Sequence, residues 1–324
     1  MNIILGFENE ILDVLDEVNT CIYSYPSPLK EHGIKFLEKL NLLKNSKERS
    51  CEAYILIPFW LNSSFSLDLS KCKSVSIATI FSVLYFMTQD EVMDSSSYKG
   101  HLLPLSSKFY YEFIKRYHSL FKSYSLFWKY FELYIHQWSY SVLWERMHHR
   151  EKISLYNDND LILLSRKTAG IKIPFAALCL IANKEQYIQK FSDMVDYDQI
   201  VYQFYDDWRD WRKDLQEGNY TYVLVEAMKY LGFSNFDNLN KINLDESLFN
   251  KVFFDERFLN KYFKISQKYN KLSAEAIKSI NIPTLNEYIL SEARTCILEP
   301  IEVLTNLKYS VNSVFDRFIS TKGN

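Results

Sequence analysis

Turn-forming residues are scarce along this chain, and that scarcity constrains the fold more than any other feature. Only 7 glycines and 7 prolines interrupt 324 residues, which favours long helices over many short strands joined by tight turns. Between the breaks, apolar residues recur at intervals of three and four, the period of a helix. One such series is Phe127, Phe131, Tyr134 and Trp138. Roughly ten helices in a single all-α domain over 1–324 are the economical prediction.

Charge and hydropathy limit the class of protein. A formal charge of −2 supplies no basic field for nucleic acid and no polybasic membrane patch. The start, MNIILGFENEILD, lacks the basic region of a secretory signal, and the best apolar run, 173–182, is about half as long as a membrane span. Five scattered cysteines without CxxC spacing indicate reduced thiols, not a zinc site. We expect a soluble cytoplasmic protein that binds no nucleic acid and has no transmembrane segment. The oligomeric state stays open, a homodimer included.

The segment 203–222, QFYDDWRDWRKDLQEGNYTY, concentrates carboxylates in little more than two helical turns. They are Asp206, Asp207, Asp210 and Asp214. At about 100° per residue, the last three share one stripe with Gln203, and Asp206 lies just beside it. Apolar residues, Phe204 among them, fall on a separate face that would pack in a core. Because like charges at this spacing repel, the stripe either meets a positive group or faces bulk solvent.

A second acidic group ends a long apolar helix predicted in 80–94, IFSVLYFMTQDEVMD. Its members are Asp90, Glu91 and Asp94. Val83 and Met87 lie on the same side of the helix as Asp90 and Asp94, so an apolar wall leads up to the carboxylates. Two such groups facing each other would make a site rich in hard oxygen ligands, which suits Mg²⁺.

These motifs resemble those of the trans-isoprenyl diphosphate synthases and related class I terpene synthases. DEVMD is similar to their first aspartate-rich motif, DDxxD, and QFYDDWRD to their second. DLQEGNYTY resembles the segment that follows the second motif, and SRKTAG at 165–170 resembles a Lys-Thr helix break between the two. The resemblance covers about 80–230 by motif. It implies an all-α helical bundle around a central cavity, with both acidic motifs at its mouth.

The resemblance also implies roles for individual residues. Three Mg²⁺ ions would grip the diphosphate of an allylic prenyl substrate and neutralise it as it leaves. The implied metal ligands are Asp90, Glu91, Asp94, Asp206, Asp207, Asp210 and Asp214. Implied diphosphate contacts are Lys167 or its neighbour Arg166, with Gln203 and Lys99. The implied cavity wall is Val83, Tyr85, Phe86, Met87 and Phe204. Asp90, Asp94, Asp206, Asp210 and Lys167 are the implied catalytic residues.

The basic residues depart from the pattern of the elongating members of this family. Lys99 and Gly100 stand where an Arg-Arg pair would follow the first motif, and Asn219 replaces the lysine of Gly-Lys-x-Thr. The early segment 26–39, PSPLKEHGIKFLEK, contains lysines but no Gly-Lys-x-x-Arg pattern. We therefore predict a Mg²⁺-dependent terpene synthase, a carbon–oxygen lyase that ionises and cyclises farnesyl or geranylgeranyl diphosphate.

Three alternative functions stay open. A trans-prenyltransferase would elongate an allylic diphosphate with isopentenyl diphosphate through Lys99 and nonstandard residues. A squalene- or phytoene-type head-to-head synthase carries paired acidic motifs that Asp210 and Asp214 also resemble. A catalytically silent partner subunit is the third.

The adjacent His148 and His149 diverge by about 100° around a helix and are expected at the surface, not at a metal.

Overall fold

The computed structural model of the protein describes residues 6–40, 52–95, 97–150, 153–233, 246–302 and 306. Within these ranges the regular structure is helical, and the only β-type pairing is an isolated bridge between Arg150 and Asn219. The all-α prediction is confirmed. The helices are α1 (Glu8–Tyr23), α2 (Leu29–Lys39), α3 (Glu52–Phe65), α4 (Leu69–Asp94), α5 (Leu103–Leu120), α6 (Phe127–His149), α7 (Asp158–Ser165), α8 (Lys172–Ile181), α9 (Ile188–Glu217), α10 (Tyr222–Tyr230), α11 (Glu246–Phe253), α12 (Glu256–Ile277) and α13 (Pro283–Ala293).

The chain divides into two compact units, which we describe separately. The first comprises Met1–His136, Ala169–Ser192 and Ser279–Asn286. The second comprises Gln137–Thr168, Asp193–Lys278 and Glu287–Asn324. A single domain over 1–324 remains a prediction.

Helix α4 is the central element of the first unit. Asp68 caps its N-terminus, where the carboxylate accepts a hydrogen bond from the Ser70 N–H at 2.7 Å. It packs against α1, α2, α3, α5 and α8, and this encirclement explains why it is apolar on most sides. Among the described residues α4 alone is long and apolar enough to cross a membrane, but 56% of its most apolar stretch is buried by protein. Core helices have this composition too.

Local signals in the sequence set the helix ends of the second unit. Asn157 caps α7: its side chain accepts from the N–H groups of Asn159 and Asp160, and the Asp160 carboxylate accepts from the Asn157 N–H. Gly218 follows the C-terminal end of α9. Its φ is +68°, a left-handed conformation that glycine adopts without strain. Helix α9 runs without interruption over Ile188–Glu217 and so carries all four acidic residues on one helix.

Stacked aromatic rings form the core of the second unit around Phe204. Its ring centroid lies 4.8 Å from that of Tyr222 and 4.9 Å from that of Tyr262. The Tyr262 hydroxyl donates to the Phe204 carbonyl at 3.0 Å. The prediction that Phe204 lies on a core-facing side of the helix is confirmed, and its 1% exposure gives no support to a role as cavity wall.

Candidate active site

Helix α9 places Asp206 and Asp210 one turn apart, and one guanidinium bridges them. Arg209 donates from Nη2 to Asp206 Oδ1 at 2.9 Å and from Nε to Asp210 Oδ1 at 3.2 Å. Burial raises the pKa of Asp206, and Arg209 opposes that rise. The predicted positive group near the acidic stripe is therefore present in the protein itself.

The other two carboxylates of α9 are more deeply placed and are held by amide groups. Gln203 donates from Nε2 to Asp207 Oδ1 at 2.6 Å, which confirms the predicted stripe. Asp207 is only 3% exposed, and burial raises its pKa well above the usual carboxyl value. Asn219 donates from Nδ2 to Asp214 Oδ1 at 3.0 Å, and burial raises the pKa of Asp214 to about 6. Both carboxylates lack a cation strong enough to offset their desolvation.

The predicted helix break lies where SRKTAG occurs. Residues Arg166–Ile171 form a 3₁₀ segment, and Thr168 leaves helical geometry with φ −107° and ψ 16°. Lys167 donates from Nζ to Glu145 Oε1 at 2.6 Å. Arg166 pairs with Asp196 instead, with 3.4 Å between Nε and Oδ2.

Lys167 is electrostatically coupled to the acidic residues of α9. Its charge lowers the pKa of Asp206 and of Asp207, against the larger effect of burial. Of the two residues that the sequence left open as diphosphate contacts, Lys167 therefore shares the environment of the acidic motif.

In the first unit, Glu91 is held by two lysines, one close to it in sequence and one 52 residues away. Lys99 donates from Nζ to Glu91 Oε1 at 2.8 Å, and Lys39 donates to Glu91 Oε2. The hydrogen bonds from Lys39 and then Lys99 lower the pKa of Glu91. Asp90 and Asp94, on the same helix end, are exposed. Both oxygens of Glu91 are thus engaged by ammonium groups, although its predicted role was metal ligation.

Aromatic rings line α4 one turn before this acidic group. The Tyr85 ring lies 5.0 Å from the ring of Phe86 and 5.0 Å from that of Tyr110. Phe86 also packs on Gly170, where a Cβ atom would lie 2.2 Å from its Cε2. Val83 and Met87, the other predicted wall residues of α4, are partly buried. A glycine is therefore needed at 170 for the Phe86 ring to occupy this position.

Comparisons with known proteins found similarity in structure but none in sequence. Neither a protein-family model nor a curated protein matches the sequence. The structure is similar to geranylgeranyl pyrophosphate synthetase from the archaeon Geoglobus acetivorans (TM-score 0.65, 17% identity, 90% of this chain and 98% of that one). It is similar to polyprenyl synthase from Caulobacter crescentus CB15, a complex with calcium and isoprenyl diphosphate (0.69, 13%, 91% and 96%). It is also similar to octaprenyl pyrophosphate synthase from Helicobacter pylori (0.59, 15%, 89% and 99%).

The chain has the trans-isoprenyl diphosphate synthase fold. This confirms the fold implied by the resemblance of the two acidic motifs and the Lys-Thr break. At these identities the likeness establishes the class I isoprenoid synthase fold and leaves the reaction to be argued from the residues.

Whether the carboxylates of this chain suit Mg²⁺ depends on how many protein ligands a Mg²⁺ site requires. Among the described residues, no group of three His, Cys, Asp or Glu side chains could hold a metal by itself. Mg²⁺ is usually bound by one or two carboxylates, waters and substrate phosphates, not by an all-protein cage. Asp206 with Asp210, and Asp90 with Asp94, each offer that kind of donor set. The two pairs lie in different units, so their approach to one another remains a prediction.

Sequence reasoning missed Lys39, Arg209 and Glu145 as partners of the site. Arg209 lies inside the second motif, so its position between two acids was a usable signal. Lys39 and Glu145 reach the motifs only through the fold, 52 and 22 residues away in sequence from Glu91 and Lys167. The prediction of a surface position for His149 is wrong: it is 1% exposed and stacks on Tyr156 with ring centroids 3.9 Å apart.

Proposed function

We propose that this chain is a Mg²⁺-dependent trans-prenyltransferase, which elongates an allylic diphosphate with isopentenyl diphosphate and releases diphosphate. The sequence favoured a terpene cyclase because it lacks the basic motifs that form a second diphosphate site in the elongating members of the family. The convergence of Lys39 and Lys99 on Glu91 supports the opposite conclusion. Of the three similar structures reported above, two are named as prenyl pyrophosphate synthases and the third as a polyprenyl synthase.

The two lysines carry this proposal because of the charge that they bring together. Lys39 ends α2 and Lys99 follows α4, so two segments supply one cationic site beside the first acidic motif. Glu91 balances only one of the two charges. An incoming diphosphate carries more negative charge than Glu91 and more acceptor oxygens, and would take the ammonium groups from it. Glu91 then serves as a counter-ion that keeps the lysines together before substrate binds.

The allylic diphosphate belongs at the acidic motifs and Lys167. Asp90 and Asp94 from α4, and Asp206 and Asp210 from α9, would hold Mg²⁺. When bound, Mg²⁺ would neutralise the charge that develops on the departing diphosphate. Lys167, whose charge lowers the pKa of Asp206 and Asp207, adds a positive charge beside the α9 carboxylates.

The reaction then needs no protein acid to begin. The allylic C–O bond breaks, and the alkene of isopentenyl diphosphate attacks the allylic carbon to form a C–C bond. The new cation loses a proton, for which the released diphosphate is a sufficient base. The rings of Tyr85, Phe86 and Tyr110 supply an aromatic surface on which a cation is stabilised. By the family resemblance, the bulk at 85 and 86 points to a C15 or C20 allylic substrate.

Product analysis tests the proposal directly. The full chain is incubated with Mg²⁺ and farnesyl or geranylgeranyl diphosphate, with and without isopentenyl diphosphate, and half of each sample is treated with phosphatase. A longer linear prenol, seen only with isopentenyl diphosphate and after phosphatase, is expected. A hydrocarbon or cyclic alcohol formed without isopentenyl diphosphate would establish the cyclase instead. Turnover of neither kind would leave a silent subunit.

Variants of the two lysines test the observation behind the proposal. Lys39→Gln and Lys99→Gln should each raise the KM for isopentenyl diphosphate about 10- to 100-fold, the equivalent of one charge-assisted hydrogen bond. The KM for the allylic substrate should change little. Lys73→Gln is the matched control, because Lys73 pairs with Asp13 and Glu17 elsewhere in the same unit. Equal effects of all three variants would contradict the assignment.

Cytoplasmic location and a homodimeric state, both drawn from the sequence, remain predictions of this proposal. Gel filtration coupled to light scattering measures the second one directly. A monomeric mass for an active preparation would remove the homodimer.

A further inference from the structure

Arg209 occupies the position between the two α9 carboxylates that the proposed function gives to metal. We propose that Arg209 is an internal counter-ion that holds Asp206 and Asp210 in the metal-free protein and competes with divalent cations for them. The inference rests on the proposed function, because it takes Asp206 and Asp210 as metal ligands. It adds a residue that sets metal affinity without being a metal ligand itself.

The geometry of the bridge distinguishes it from an ordinary surface ion pair. One guanidinium contacts two carboxylates through different nitrogens, at 2.9 Å and 3.2 Å. Asp206 and Asp210 lie four residues apart, where like charges on a helix face each other and repel. Arg209 removes that repulsion for both at once. Its Cζ also lies 5.9 Å from the centroid of the Tyr205 ring, a cation–π contact that favours this orientation.

The bridge is also placed so that it can open. The Arg209 side chain is 51% exposed, and those of Asp206 and Asp210 are 36% and 41% exposed. A guanidinium this exposed can swing into solvent without unpacking the core. A divalent cation can then reach the same oxygens from solvent. Both cannot occupy them together, because the two positive charges would repel at contact distance.

The competition has a size that can be measured. Exposed ion pairs are individually weak, so removing both pairs should tighten metal binding by about 5- to 20-fold. Arg209→Gln removes the charge. Arg209→Lys keeps the charge but not the planar fork that contacts two carboxylates at once, so its effect should be intermediate.

Arg212 provides a matched control on the same helix. Its side chain is 48% exposed, close to the 51% of Arg209. It contacts Glu246 and Asn250 and lies over the Trp211 ring, away from the two acids. Arg212→Gln therefore removes the same net charge at a similar distance along the helix without opening the bridge.

The experiment measures Mn²⁺ binding to the full chain without any substrate, by electron paramagnetic resonance of free Mn²⁺. We expect the Kd of Arg209→Gln to fall 5- to 20-fold, that of Arg209→Lys to fall less, and that of Arg212→Gln to stay within about twofold. Equal changes in Arg209→Gln and Arg212→Gln would overturn the proposal, since they would reflect long-range charge alone. No change, or weaker binding, in Arg209→Gln would overturn it too.

Two further measurements separate this inference from the proposed function. If Asp206→Asn/Asp210→Asn binds Mn²⁺ as the unaltered chain does, the α9 acids are not metal ligands, and the proposed function fails with the inference. If that variant loses binding but Arg209→Gln gains none, only the inference fails. Thermal midpoints with and without Mn²⁺ are the second readout: the metal-dependent rise should be larger in Arg209→Gln. A rise in no variant would overturn the inference.

Discussion

Replacing Gly170 by alanine tests whether this glycine positions the Phe86 ring. The new Cβ would lie 2.2 Å from Phe86 Cε2 and 2.7 Å from Cζ. The ring would have to retreat by roughly 1.2 Å to restore an ordinary contact of 3.4 Å. Gly170 is buried, and a Cβ is fixed to the backbone and cannot turn away. The strain must therefore be relieved by movement of Phe86.

Two opposing effects set the size of the change. Overpacking a well-filled site costs about 1–3 kcal/mol. Gly170 does not have a left-handed φ, so alanine fits its backbone and gains about 0.4–1 kcal/mol by restricting the unfolded chain. We expect Gly170→Ala alone to destabilise the chain by roughly 0.5–2 kcal/mol. In a Phe86→Ala background the clash disappears, and the same substitution should stabilise by about 0.4–1 kcal/mol.

The assay is a double-mutant cycle by thermal unfolding of the four proteins. A coupling energy of about 1–3 kcal/mol between Gly170 and Phe86 is expected, with about 2 °C of midpoint per kcal/mol for a chain of this size. Additivity within about 0.5 kcal/mol would refute the reasoning. Gly33→Ala is the control: its Cβ would meet Ile22 Cγ2 at 2.9 Å, not Phe86, and it should add independently to Phe86→Ala. If Phe86 also bounds the product cavity, prenyl length should shift in both single variants.

Two further predictions concern buried ionisable groups. Asp207→Asn should stabilise the metal-free chain by about 1–3 kcal/mol at pH 7. Burial raises the pKa of Asp207, so the folded chain loses stability as the pH rises above the ordinary carboxyl pKa. The gain should vanish below about pH 4, and a lower thermal midpoint at pH 7 would contradict this. Burial raises the pKa of Cys72 to about 11 and of Cys179 to about 12, so roughly 0.1% or less of either thiol is ionised at pH 8. Alkylation mapped by peptide mass spectrometry should therefore require unfolding, and rapid labelling of the native chain would be the contrary result.

Features set by local chemistry were accessible from the sequence. The scarcity of glycine and proline predicted long helices, and the helical stripe of α9 predicted that Gln203 and Asp207 share a face. Their hydrogen bond confirms it. The 3₁₀ segment that contains Thr168 lies where SRKTAG predicted a break. In each case the determining residues lie within a few positions of one another, where helix geometry fixes their relation.

Contacts between distant segments were not accessible in the same way. His149 was expected at the surface because its neighbours along the helix offered no metal-ligand spacing. Its environment comes from Tyr156, in the segment between α6 and α7, and from Trp144 on its own helix. Stacking of this kind depends on how the chain returns after α6. Helical periodicity alone contains no information about that return.

The sequence favoured a cyclase because basic motifs are missing, and a missing motif is weaker evidence than a motif that is present. A motif that is present fixes residue types at a spacing, and its chemistry follows if the segment is helical. A motif that is missing says only that these positions lack the charge. Lys39 lies at the last position of α2, outside any recognised pattern, yet it reaches the carboxylate that Lys99 also contacts. The charge at a binding site depends on which side chains meet there in space. From the sequence alone, the loss of an arginine cannot be told apart from its replacement by a lysine of another segment. The acidic motifs, whose members lie on single helices, could be proposed from the sequence. The basic site could be proposed only once α2 was seen to pack against α4.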